Sequence, residues 1–120
     1  MYTILLLIIA AISNAICDVL KNFFGKSKFK NLNPEYWNPS ISYLRMWEEH
    51  NVKEKFLGST TIFCWLCDAW HLFKAIWLVS TIGAIIASWY TEPLFGWYTA
   101  PLLLVLWGIF FEATFRYLKK

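Results

Sequence analysis

Asp68 and His71 are the residues of this chain best placed to do chemistry. Three apart on a helix, they share a face. The carboxylate can then fix the tautomer of the imidazole, which serves as general acid or base, or as a metal ligand. Asn14 and Asp18, four apart, make a second polar pair on one face of an earlier segment. Asp68, His71 and Asp18 are the candidate catalytic residues. The same three, Asp18, Asp68 and His71, offer hard oxygen and imidazole ligands for a divalent metal, the one cofactor the residues suggest, although such a set does not define which metal.

Candidate substrate-binding residues surround them. Gly58, Ser59, Thr60 and Thr61 offer hydroxyls and backbone N–H groups that suit a phosphate if they open a helix. Asn14 and Lys74 complete the expected set. Each has a plainer reading. In it Asp68 and His71 serve only to hold helices together, Gly58–Ser59–Thr60–Thr61 only as a helix cap, and Lys74 as the partner of an acid on a neighbouring helix. Glu112 and Arg116, at i, i+4, read most simply as an ion pair within one helix. His50 reads as a solvated loop residue.

These polar groups matter because of what surrounds them. The 120 residues are 58% hydrophobic, 20% aromatic and only 16% charged. That much apolar surface exceeds what one small soluble core can bury. Three runs, 2–20, 62–88 and 101–118, reach or approach the roughly 20 residues needed to cross a bilayer as a helix. The expected fold is therefore all-α: an integral membrane protein of one domain, residues 1–120, with three transmembrane helices. Residues 21–56 form an aromatic, amphipathic loop on the cytoplasmic side. Strands are excluded for the three runs because an isolated strand leaves its backbone unpaired in lipid. An ionised group at the centre of such a helix costs about 2.5–3.5 kcal/mol on insertion scales, so Asp18, Asp68 and Glu112 need partners, water or a ligand.

Charge placement sets the expected orientation. Lys21, Lys26, Lys28, Lys30, Arg45, Lys53 and Lys55 lie between the first and second runs, and Arg116, Lys119 and Lys120 close the third. The connection 89–100 carries only Glu92. The positive-inside rule then places the N-terminus outside and the C-terminus in the cytoplasm, in a bacterial inner membrane. A cleaved signal peptide is disfavoured because Met1, Tyr2 and Thr3 carry no positive charge. Cys17, Cys64 and Cys67 read as packing residues, with no disulfide framework.

The elements that must position the site follow. Small residues recur four apart, at Ala10, Ala11, Asn14 and Ala15 in the first run and at Ser80, Gly83, Ala84, Ala87 and Ser88 in the second, which suits close helix contact. Asn33-Pro34 and Asn38-Pro39 are expected to break helix twice in the loop. From Ser40 an amphipathic helix is expected, with Ile41, Leu44, Trp47 and Val52 on one side. Trp89, Tyr90, Trp97 and Tyr98 read as an outer aromatic belt. On a second helix starting at 62, Asp68 lies about two turns inside, and Cys64, Asp68 and His71 fall within about 60°. Asp18, Asp68 and Glu112 then share one depth, which reads as a pocket open to the cytoplasm. Cys67, Lys74, Thr81 and Ser88 recur every seven residues, a stripe that would line water in an oligomer.

Ile12-Ser13-Asn14-Ala15, Tyr36-Trp37-Asn38-Pro39, Gly58-Ser59-Thr60-Thr61 and Asp68-Ala69-Trp70-His71 together resemble a family of small bacterial and phage membrane proteins, over the first two-thirds of the chain. The resemblance supports the choice of residues and brings no activity with it. Three function classes follow from the residues. The first is a membrane-embedded enzyme, metal-dependent or acid/base, acting on lipid at the inner leaflet. The second is a homo-oligomeric ion channel or a pore resembling class I holins. The third is an accessory subunit of a membrane complex. Membrane lipids are the expected partners and a homo-oligomer or complex the expected assembly. No nucleic acid is expected, because the cations flank the spans.

Overall fold

The computed structural model describes residues 2–49, 53–90 and 99–119. Three long helices dominate: α1 (Tyr2–Phe23), α4 (Ala69–Tyr90) and α5 (Thr99–Lys119). Each is long and apolar enough to cross a membrane. Between α1 and α4 lie two single-turn helices, α2 (Pro34–Trp37) and α3 (Pro39–Ser42), and a small antiparallel ladder of β1 (Trp47–Glu49) with β2 (Lys53–Glu54). The fold is all-α apart from this ladder. Residues 91–98, with Trp97 and Tyr98 of the expected outer belt, and His50 and Val52 of the loop lie outside the described residues.

The long helices form a flat row. α1 packs against both α4 and α5, whereas those two barely touch each other. The molecule measures 51 × 35 × 16 Å, so the row is one helix thick with little on either face. α4 runs antiparallel to α1. Near one end the Cys17 thiol faces the Trp70 carbonyl at 3.7 Å, and near the other Leu6 lies beside Gly83. α5 runs parallel to α1: Leu7 faces Leu103, Leu104 and Trp107, while Phe23 meets Phe115 edge to face at 5.6 Å. The small residues explain why α1 is the middle helix. Ala10, Ala11 and Ala15 on α1 are fully buried, and Ser80 and Ala84 on α4 are buried. Short side chains let the two backbones approach, as the four-residue spacing predicts.

The second long helix corrects the sequence reading. It starts at Ala69, not at 62. Residues 58–67 run instead as successive turns, closed by a 3-10 turn over Cys64–Leu66. Gly58 sets this path with φ +81, a left-handed conformation that L side chains rarely adopt. Its carbonyl accepts the N–H groups of Thr61 and Phe63. Asp68 then opens the helix: its carboxylate satisfies a first-turn N–H that has no partner within the helix.

The loop also differs. Asn33 and Asn38 start helices rather than break them. Each side chain accepts the N–H two residues on, at 3.1 Å, with Pro at the first helical position. The amphipathic helix expected from Ser40 ends at Ser42, passes through a 3-10 turn at Tyr43–Met46, and becomes strand β1 at Trp47. Phe29 stacks on Trp37 at 5.2 Å, and Trp37 meets Phe73 of α4 at 6.2 Å. The aromatic residues thus dock the loop onto the start of α4.

Candidate functional site

The site is built around the first turn of α4. Asp68 is 1% exposed. One oxygen, Oδ1, accepts the backbone N–H of His71 at 2.8 Å and faces His71 Nδ1 at 2.7 Å. The other, Oδ2, accepts the hydroxyl of Ser42 at 2.9 Å. Ser42 is the last residue of α3 and fully buried, so the loop and the helix N-terminus are clamped through one carboxylate. An ionised carboxylate only accepts, so this contact calls for a proton on Nδ1, which in a neutral imidazole leaves the lone pair on Nε2. Among the described residues Nε2 has no hydrogen-bond partner, and the His71 side chain is 22% exposed. This arrangement can take a proton from water or a hydroxyl and return it.

The neighbours shape that corner. The Trp70 ring stands edge-on to His71 at 4.9 Å, and Lys74 Nζ lies 4.5 Å from the Trp70 ring centroid. Lys74 thus rests on an aromatic face, where the ring quadrupole attracts it, rather than pairing with an acid on another helix. Tyr36 lies in the field of the site. Burial, and then the negative charge of Asp68, hold its phenol above the ordinary value, while the Arg45 guanidinium 5.6 Å over the ring pulls the other way. Burial likewise pushes up the Cys67 thiol, with Asp68 again adding to the effect.

The other expected residues separate. Asp68 does not lie two turns inside a helix; it caps one, and Cys64 precedes the helix, so the expected face of Cys64, Asp68 and His71 does not form. Asn14 and Asp18 are half-buried on α1, and the Asp18 carbonyl accepts Asn22 Nδ2 at 3.2 Å. Among the described residues no three His, Cys, Asp or Glu side chains gather to hold a metal, so the trio of Asp18, Asp68 and His71 does not fit a metal. Both oxygens of Asp68 are already committed. Glu112 stands apart, paired with Arg116 at the exposed surface of α5, as the spacing predicts. In the heptad stripe, Thr81 and Ser88 donate their hydroxyls to the carbonyls of Trp77 and Ile85 in their own helix.

Gly58, Ser59, Thr60 and Thr61 do not open a helix, because α4 begins only at Ala69. Ser59 is fully buried and donates to the Met46 carbonyl at 2.6 Å, and its own carbonyl faces the Cys67 thiol at 3.8 Å. Thr60 donates to Glu54, which also accepts the Gly58 N–H at 3.2 Å. The Thr60 hydroxyl and then the Gly58 amide hold the Glu54 carboxyl below its ordinary value. These groups lock the 54–63 turn onto the loop and leave Ser59 and Thr60 no free hydroxyl for a substrate. Sequence reading missed Ser42, Tyr36 and Glu54. Ser42 carried one signal: it ends the short element opened by the Asn38-Pro39 start.

No family model, curated protein or solved structure matches this chain.

Proposed function

We propose that this chain is an integral protein of a bacterial inner membrane, with its N-terminus outside and the Asp68 end in the cytoplasm. In this reading it is an acid/base enzyme that acts on a polar lipid group at the inner leaflet. The contact between His71 Nδ1 and a buried Asp68 carries the proposal. A carboxylate clamped by Ser42 and a backbone N–H presents one fixed imidazole at the end of the bundle, where a spanning helix would meet head groups. His71 Nε2 takes the proton of a water or hydroxyl that attacks an ester, then returns it to the leaving oxygen. Asp68 positions the ring. Lys74, Thr61 and Asn14 remain as candidates to hold the substrate. No metal enters this reading.

Purified protein in bicelles of inner-membrane lipids tests it. Parental protein should cleave or transfer a head group, His71→Gln should abolish turnover, and both should keep the same helical content. Equal product from parent and H71Q, or no product from either across all lipid classes, would end the enzymatic reading.

The flat row favours a second reading. α4 and α5 each leave most of their surface open, with Val79 at 70% exposure and Leu104 at 71%. Lateral contact with more copies, or with a larger membrane complex, would cover those faces. Mass measurement in detergent and ion flux into liposomes separate a lone subunit, an accessory subunit and a pore.

A further inference from the structure

A recess rimmed by cations lies on the other flank of α1. It measures about 600 Å³ and is lined by Gly25, Lys26, Lys30, Arg116 and Lys119. Its cations come from two separate parts of the chain, the turn after α1 and the last turn of α5. The two are fastened together, because the Lys28 N–H donates to the Leu118 carbonyl at 2.9 Å. The turn is itself built: Ser27 is 2% exposed, donates to the Phe24 carbonyl at 2.8 Å and accepts the Phe29 N–H at 3.1 Å. Lys119 Nζ lies 4.3 Å from the Phe23 ring centroid.

Cations at helix C-termini have an ordinary explanation, since each terminus carries about −0.5 of charge. Here it is insufficient. Two termini offset about one of the four cations, and Glu112, paired with Arg116, offsets another. Among the described residues Lys26 and Lys30 have no ion-pair partner. About two positive charges are left facing an open recess. Gly25 is among the lining residues, and a Cβ there would meet nothing within 4 Å.

We infer that this recess binds the phosphates of an anionic phospholipid, best a head group with two phosphodiesters such as diphosphatidylglycerol. Two negative charges match the unbalanced two. The recess sits where α1 and α5 both end, at head-group depth for helices that span a bilayer. The inference rests on the membrane reading and is independent of the Asp68–His71 chemistry.

The test uses the full chain in detergent with added diphosphatidylglycerol, phosphatidylcholine or inorganic phosphate, and reads bound lipid by native mass spectrometry. Parental protein should retain diphosphatidylglycerol at least tenfold better than phosphatidylcholine. K26Q/K30Q should lose that preference and K26R/K30R should keep it. Gly25→Leu, which adds bulk to the lining without changing charge, should weaken it, whereas K53Q/K55Q should not. Equal retention by K26Q/K30Q, or an equal loss in K53Q/K55Q, would overturn the site in favour of diffuse surface charge. Competition by inorganic phosphate at the concentration of the lipid would overturn the lipid as occupant. Flotation of every variant with liposomes is measured alongside. Parental protein that fails to float would overturn the membrane reading itself, a result distinct from lost lipid preference in protein that floats.

Discussion

Asp68 holds His71 twice with a single oxygen, once through the backbone N–H at 2.8 Å and once through ring Nδ1 at 2.7 Å. The same contact that starts α4 therefore orients its imidazole. Helix capping and acid/base chemistry cannot be separated by deleting Asp68, but they can be separated by replacing it.

Asp68→Ala removes the cap and orphans the Ser42 hydroxyl, a loss of about 1–3 kcal/mol. Asp68→Asn keeps a capping oxygen and costs less. Thermal unfolding in detergent should rank parent, D68N and D68A in that order. Nitrogen-15 shifts of His71 should report a proton on Nδ1 in the parent, with that preference weakened in D68N.

Glu54 gives the 54–63 turn a pH response. Its carboxyl is held below the ordinary value of about 4.5, chiefly by Thr60 and then by the Gly58 amide. Its contribution is thus present above that value and is lost as pH falls through the depressed one. Hydrogen exchange at the Gly58 amide should accelerate over that acid range. Thr60→Val should remove most of the response, and an unchanged profile in T60V would show that Thr60 is not its source.

Gly58→Ala should destabilise the same turn. The left-handed φ alone costs a non-glycine residue about 1–2 kcal/mol, and the added methyl would lie 2.9 Å from the Phe63 ring. Phe63→Leu in the G58A background should recover only the steric share. Full recovery in a melting experiment would show that the backbone is not strained.

The α1–α4 seam should tolerate no added bulk. Ala84→Leu, at a position 3% exposed, should cost about 1–3 kcal/mol by overpacking. Ile85→Leu on the open face, at 63% exposure, should leave the melting temperature unchanged.

Thiol alkylation should follow burial. Cys64 is partly exposed, whereas Cys17 and Cys67 are 5% and 4% exposed. Cys67 is further slowed because its thiol is pushed up by burial and by Asp68. Mass spectrometry after brief maleimide treatment near neutral pH should find Cys64 labelled first, and preferential labelling of Cys67 would contradict its placement.

The long helices were legible because lipid-compatible segments must be both continuous and apolar. The small residues at Ala10, Ala11 and Ala84 marked the packing seam in advance. The start of α4 was not legible. Residues 62–67 are as apolar as a helix, and hydropathy cannot detect an N-cap at Asp68. Moving that boundary shifted the expected depth of the acid and dissolved the face shared with Cys64. The Asp68–His71 pair survived because three-residue spacing places a cap opposite its first-turn partner as well as it places two neighbours inside a helix. Ser42 was hidden because its contact spans 26 residues of sequence, beyond any local pattern. The Asn-Pro pairs were misread because the proline that breaks a helix in its interior suits its first position.

The central place of α1 has a consequence for biosynthesis. Because α1 precedes α4 and α5 in sequence, it leaves the ribosome before either neighbour is made. The α1–α4 hairpin can close while α5 is still being translated, and α5 then joins a ready-made edge. Each outer helix needs α1 and neither needs the other. A chain stopped after residue 90 should still form its hairpin, whereas one lacking residues 2–23 should leave two helices with no common surface.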